Sequence, residues 1–289
     1  MSMYPTLFVP CFNEEQAEKA ATVAAPVAGA LGSLAVGCHG TPPPHVAVPA
    51  VYPLESGAHI QEIIDAVSKA NAAETENIKE SFKKGCAAAN LEFAEPANLD
   101  ARVSASWRSP IGLIPEVYVS EAMTCDLSLV AQSEDLTSAD DLSAYTAVLM
   151  GSGKPILVVP DGVTFQLPEK IIVGWNGSLE VSRAVQSALP LLKEANHATL
   201  LSVSNDEVTS PELPAAIAAL SRHNVRASHD QIPTSAARVS DSLQDYAKEN
   251  GAGLLVLGGY SHSRIRELVL GGVTRSVLQK ARMPILLCH

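Results

Sequence analysis

Short apolar runs, each bounded by small or polar residues, recur along the chain. They are TLFVPC (6–11), SLAVGCHG (33–40), DLSLVAQ (126–132), GKPILVVP (153–160), KIIVGWN (170–176), ATLLSVSN (198–205), GLLVLGGY (253–260) and RMPILLCH (282–289). They are too short for core helices and lack apolar–polar alternation, so they read as strands buried on both faces. Between them lie stretches with helical periodicity. In the second half the pattern predicts strand 170–175, helix 178–195, strand 198–204, helix 211–223 and strand 226–232. Helix 235–250, strand 254–260, helix 264–281 and strand 284–288 complete it. Alternation of this kind implies a parallel sheet with helices on both faces and right-handed crossovers.

The pattern also repeats. The first two strands recur at an offset of 164 residues and the closing strands at 129, so the first copy is longer by the difference, 35 residues. The chain therefore reads as two domains, 1–162 and 168–289, each a doubly wound parallel sheet of five strands. The extra length falls between Gly40 and Asp126, where a Pro-rich loop (41–56) precedes a long helical pattern over 59–90. The junction PDGVTFQLPEK (160–170) is short, so the copies are expected to pack together as a pair within one chain.

Composition narrows the class. Hydrophobic residues are 47%, charged residues 18% and aromatics only 4%, which suits an Ala/Val/Leu/Ile core and not a disordered chain. Net charge is −11, and residues 1–165 hold 8 Lys/Arg against 20 Asp/Glu while the remainder hold 12 against 11. An acidic first half gives no stripe for nucleic acid. The second half, with Arg264, Arg266 and Arg275, tolerates a small anion. The five cysteines show no paired spacing and sit beside apolar runs, as reduced buried thiols do. No signal peptide or membrane-length apolar stretch is evident, which points to a cytoplasmic protein.

Several chemistries find no support. GSGKP (151–155) lacks the Ser/Thr of a phosphate-binding P-loop and lies after a helix and before a strand, the reverse of the required context. Neither half carries G-x-G-x-x-G after its first strand, which argues against a dehydrogenase. No G-x-S-x-G elbow presents a serine nucleophile. The histidines, among them His39, His45, His223 and His229, pair with no cysteine or carboxylate at a metal-ligand spacing. Trp107 and Arg108 close a first-half strand and suit either edge packing or a partner. Two strand ends stand out in the second half: GWNGS (174–178), and GGYSHSRIRELVLGGVT (258–274), where glycines flank a Ser-His-Ser-Arg cluster. Ligands in open α/β sheets settle at such carboxyl ends. The same glycines also suit tight packing without a ligand.

VGWNGSLEVSRAVQSALPLL and LLVLGGYSHSRIRELVLGGVTRSVLQKARMPILL resemble the universal stress protein family, and the resemblance covers nearly all of residues 168–289. It implies a Rossmann-like fold of the adenine-nucleotide α-hydrolase type. Nucleotide-binding members carry G-x2-G-x9-G-[S/T] after the fourth strand, where glycines let backbone N–H groups reach phosphate oxygens. Here that register gives Gly258, Ser261, Gly271 and Gly272, so serine replaces the second glycine and glycine the closing hydroxyl.

The resemblance implies ATP or another adenine nucleotide held by Gly174, Trp175, Asn176, Val203, Leu257, Gly258, Ser261, Ser263, Arg264, Gly271, Gly272 and Val273. Asn176 stands where binders often have an acidic residue, which weakens a role for magnesium there. Binding with at most slow hydrolysis is implied; the alternative is an interaction module of the same fold that has lost the nucleotide. A Gly258→Val substitution is expected to block such a site while the fold survives. Single-domain relatives pair as dimers, so the tandem halves are expected to mimic a dimer, with further association into a homodimer left open. The first half, with Glu134, Asp135, Asp140 and Asp141 in the corresponding loop, looks like a degenerate copy.

Overall fold

A computed structural model describes residues 2–47, 57–98, 102–132, 139–204, 211–233, 239–259 and 277–289. Its ten strands are β1 (Thr6–Pro10), β2 (Leu34–Cys38), β3 (Ser104–Arg108), β4 (Leu127–Ala131), β5 (Ile156–Val159), β6 (Lys170–Gly174), β7 (His197–Val203), β8 (Ala227–Ile232), β9 (Leu254–Gly258) and β10 (Ile285–Cys288). Among the described residues the α-helices are α1 (Glu14–Leu31), α2 (Gly57–Ala88), α3 (Ile114–Met123), α4 (Ala139–Gly151), α5 (Leu179–Glu194), α6 (Leu213–Arg222) and α7 (Val239–Glu249). Residues 277–280 are also helical. The second-half elements lie within a few residues of the positions that the apolar pattern predicts; most of the helix expected at 264–281 falls outside the described residues.

The two expected five-stranded sheets are the halves of one ten-stranded sheet, ordered β3-β2-β1-β4-β5-β10-β9-β6-β7-β8. Read outward-in from each end, both halves have the same order. All pairings are parallel except β5 with β10, which run antiparallel with Leu157 opposite Leu286. Helices α1, α2, α5 and α6 cover one face. Helices α3, α4, α7 and the helical residues 277–280 cover the other. Strands β4, β5 and β10 are buried at every position, the reason β5 and β10 read as unbroken apolar runs and β4 is broken only by the buried Ser128.

Local chemistry sets the helix ends. At α1, Asn13 Oδ1 accepts from Gln16 N–H, while Gln16 Oε1 accepts in return from Phe12 N–H, both at 2.9 Å. Gly32, at φ +72°, closes the helix in the left-handed region. The buried face of α1 is mostly alanine, which lets α2 approach closely: a methyl on Gly85 would lie 2.3 Å from the Glu18 carbonyl oxygen. The 32-residue α2 stands where the second half has the 10-residue α6. Trp107 is buried against Phe82, with ring centroids 5.5 Å apart, and the exposed Arg108 bonds Glu121 and Thr124. The outer edge of β3 is bonded by its own chain, with Ala94 N–H donating to Ala105 O at 2.9 Å. The junction between halves is pinned by Phe165, which is 2% exposed. Burial of such a ring stabilises by about 2–3 kcal/mol.

Candidate functional site

In the second half the strand order reverses between β6 and β9, which lie side by side. Their crossovers leave on opposite faces, opening a crevice at their carboxyl ends. The sequence ends both strands in glycine. A methyl on Gly174 would meet the Leu257 side chain at 2.5 Å. Next, Trp175 N–H donates to Leu201 O at 2.8 Å, and the indole packs against the core of the α5/α6 face. The indole Nε1 is buried and has no hydrogen-bond partner among the described residues. Asn176 Oδ1 accepts from Ser178 N–H at 3.2 Å, Gly177 takes φ +68°, and Ser178 Oγ caps α5 by accepting from Val181 N–H at 3.2 Å. This turn delivers the positive end of α5 to the crevice.

Gly258 ends β9 directly against that helix. A methyl there would lie 2.5 Å from Val181 N, 2.8 Å from the Glu180 carbonyl carbon and 2.9 Å from Glu180 Cβ. This corrects one expectation: Gly258→Val cannot block a ligand and spare the fold, because its space is already filled by the α5 backbone. Gly259 follows, its N–H bonded to Cys288 O at 2.8 Å and its carbonyl accepting from His289 Nδ1 at 3.1 Å. Leu257 is buried and Val203, closing β7, is half-buried. Thus Gly174, Trp175, Asn176, Leu257 and Gly258 gather at the ends of two adjacent strands, with Val203 at the end of the neighbouring β7. Ser261, Ser263, Arg264, Gly271, Gly272 and Val273 lie outside the described residues.

The first half places different chemistry at its own reversal, between β1 and β4. There Pro10 and Ala131 stand at the strand ends, and Phe12 stands where the 164-residue offset puts Asn176. The Phe12 ring meets Tyr118 and Tyr145 edge-on, each at 5.4 Å between centroids. The Cys11 carbonyl accepts from Tyr118 Oη and from His39 Nδ1, both at 2.9 Å. Burial raises the Cys11 and Cys38 thiols far above their ordinary range. Rings and internal hydrogen bonds therefore occupy this end. Glu134 and Asp135 lie outside the described residues. None of this carried a sequence signal, because the aromatic cluster joins residues far apart in the chain. His197 and His229 pair with serine hydroxyls across β7 and β8. Among the described residues no group of three His, Cys, Asp or Glu is placed to hold a metal, and no helix is long and apolar enough to cross a membrane.

Comparisons with known proteins give this geometry a context. The model of the universal stress protein family matches residues 168–289. A universal stress protein of Synechocystis sp. is 27% identical over 137 residues, a match spanning 46% of either chain, so less than half of that relative's length is accounted for. The crystal structure of a universal stress protein from Archaeoglobus fulgidus DSM 4304 superposes with a TM-score of 0.62. It covers 99% of this chain and 96% of its own at 13% identity, a likeness of fold. Residues 168–289 therefore belong to the universal stress protein family, and they sit within a chain whose fold is that of a universal stress protein throughout.

Proposed function

We propose that the second half binds ATP or another adenine nucleotide, with the first half as a structural copy that takes none. One observation carries this reading: the two halves share a strand order, and among the described residues the first packs Phe12, Tyr118 and Tyr145 together at its switch point where the second has Asn176. At the same place the second half offers Gly174, Asn176 and the capped start of α5. The nucleotide's base would lie over the ends of β6 and β7, beside Val203. Its phosphates would run toward the chain that follows Gly258, where Ser261, Ser263, Arg264, Gly271, Gly272 and Val273 stand in sequence. Asn176 is neutral, so the chain gives magnesium no carboxylate on β6, and binding is expected without the metal. The role is binding rather than catalysis.

The antiparallel junction supports the reading of the halves as a pair related by a local twofold axis. At the 129-residue offset Leu157 and Leu286 are equivalent, and these two residues face each other in the β5–β10 pairing. The alternative, an interaction module without nucleotide, draws support from Gly258, whose glycine is explained by contact with α5 alone.

The experiment is calorimetric titration of ATP together with nucleotide extraction from the purified protein. Asn176→Phe copies the ring of the first half into the crevice at an exposed position. The expected outcome is binding by the parent and a loss of at least tenfold in the variant, with circular dichroism unchanged. An absence of binding at millimolar ATP would overturn the nucleotide reading in favour of the interaction module.

A further inference from the structure

The two rims of the sheet are finished differently. At the β3 rim the chain bonds its own edge: Ala105 N–H donates to Glu92 O at 2.6 Å and Ala94 N–H to Ala105 O at 2.9 Å. The β8 rim has no such cover among the described residues. Arg226 O accepts from Ala198 N–H and Ile232 O from Ser204 N–H, so the even-numbered residues of β8 turn their backbone groups to β7. Those of Ala227, His229 and Gln231 turn outward. Gln231 N–H is met by Asp230 Oδ1 at 2.8 Å. Ala227 and His229 present N–H and C=O groups that no described residue bonds. An edge of this kind is a template for another strand.

The surroundings of the edge suit one partner. Helix α6 packs over β8 and exposes Pro214, Ala215, Ala218 and Ala219, small residues that leave room for a neighbouring helix. The strand is also complementary to itself in charge. Exposed Arg226 and Asp230 lie on one face of it, two residues either side of Ser228. A second β8 laid antiparallel about a twofold axis at Ser228 sets Arg226 of each copy directly opposite Asp230 of the other. In that register Ala227 and His229 form the hydrogen-bonded pairs, and the Gln231 N–H, already engaged by Asp230, is not required.

We propose that the β8 edge is a homodimer interface, on which a second copy of this chain docks antiparallel and continues the sheet. The axis stands normal to the sheet, so the α6 helices of the two copies lie side by side on one face. The chain contains a precedent: β5 and β10 pair antiparallel through Ile285, Leu286 and Leu287, with helices on both faces of the sheet. The interface is independent of the nucleotide reading above.

Sedimentation equilibrium of the intact chain tests it. The mass should rise with concentration from 30.3 kDa toward twice that value, with a dissociation constant of about 1–10 μM, as suits a small interface. Arg226→Glu sets carboxylates face to face and should weaken association roughly tenfold or more. Exchanging the charges, Arg226→Glu with Asp230→Arg, should restore it, which a merely damaged edge would not do. His229→Pro removes an outward donor that β7 does not use, and should leave a monomer with unchanged circular dichroism. A parent that stays monomeric throughout would overturn the proposal. So would a dimer indifferent to Arg226→Glu and His229→Pro, or a charge exchange that associates no better than the single change.

Discussion

The contact between Gly258 and α5 makes a quantitative prediction. In Gly258→Ala the added carbon would sit 2.5 Å from Val181 N and 2.8 Å from the Glu180 carbonyl carbon, where ordinary contact begins at 3.4 Å. The strand end and the helix must separate by ~0.9 Å, and neither wall is a side chain that can rotate away. Overpacking of this kind costs about 1–3 kcal/mol, and two backbone walls place it near the top of that range. Val181 N–H is also the donor to Ser178 Oγ, so displacing the first turn weakens the cap by about 1 kcal/mol more. Reduced freedom of the unfolded chain returns roughly 0.4–1 kcal/mol. The net loss is about 3 kcal/mol, or a fall in Tm of roughly 6–12 °C for a chain of this size. Urea denaturation followed by circular dichroism measures it. Gly29→Ala is the control: Gly29 is exposed within α1 with nothing near its missing methyl, so that variant should gain about 0.5–1 kcal/mol. A Gly258→Ala protein as stable as the parent would show that the helix does not press on the strand end.

Two further predictions concern titrating groups. The five cysteines are all free and buried, with burial pushing Cys86 up to about 12 and Cys11, Cys38 and Cys125 also upward; a thiol reagent at pH 8 should label almost none natively and all five in urea, and prompt native labelling of Cys11 or Cys38 would contradict their placement. The Tyr246 hydroxyl, and then the Gln231 N–H, hold the Asp230 carboxyl below its ordinary value, while burial lifts Tyr246 to about 12. A depressed carboxylate contributes stability above its unfolded pKa that is lost as pH falls through the folded one. Tyr246→Phe should therefore raise the Asp230 midpoint in an NMR titration and reduce the stability lost on acidification, and an unmoved midpoint would show that the phenol does not act on it.

The strand and helix series was legible because its signals are local. Doubly buried strands announce themselves as apolar runs, and Gly, Pro, Asn and Ser mark their ends, so β6 through β10 fall close to where the pattern puts them. The union of the sheets was not legible, since nothing in PILVV or PILLC states that the two strands pair with each other. The same limit hid the meaning of Gly258. Its sequence context suits a phosphate loop and tight packing alike, and only the approach of Glu180 and Val181 shows what it packs against. The Phe12–Tyr118–Tyr145 cluster and the bond from Gln132 Nε2 to the Leu278 carbonyl likewise join positions that no periodicity connects.

The antiparallel seam at Leu157 and Leu286 has a consequence for how the halves can change. Where two separate copies of one chain meet across an axis, every substitution is made twice, and both faces of the contact must accept it. Within a single polypeptide each side mutates alone. Gln132 and Gly259, the residues that follow β4 and β9, are an instance: an amide on one side of the seam, no side chain on the other, with Leu149 seated where a second glutamine would need room. A covalently joined pair can thus let its two halves diverge residue by residue.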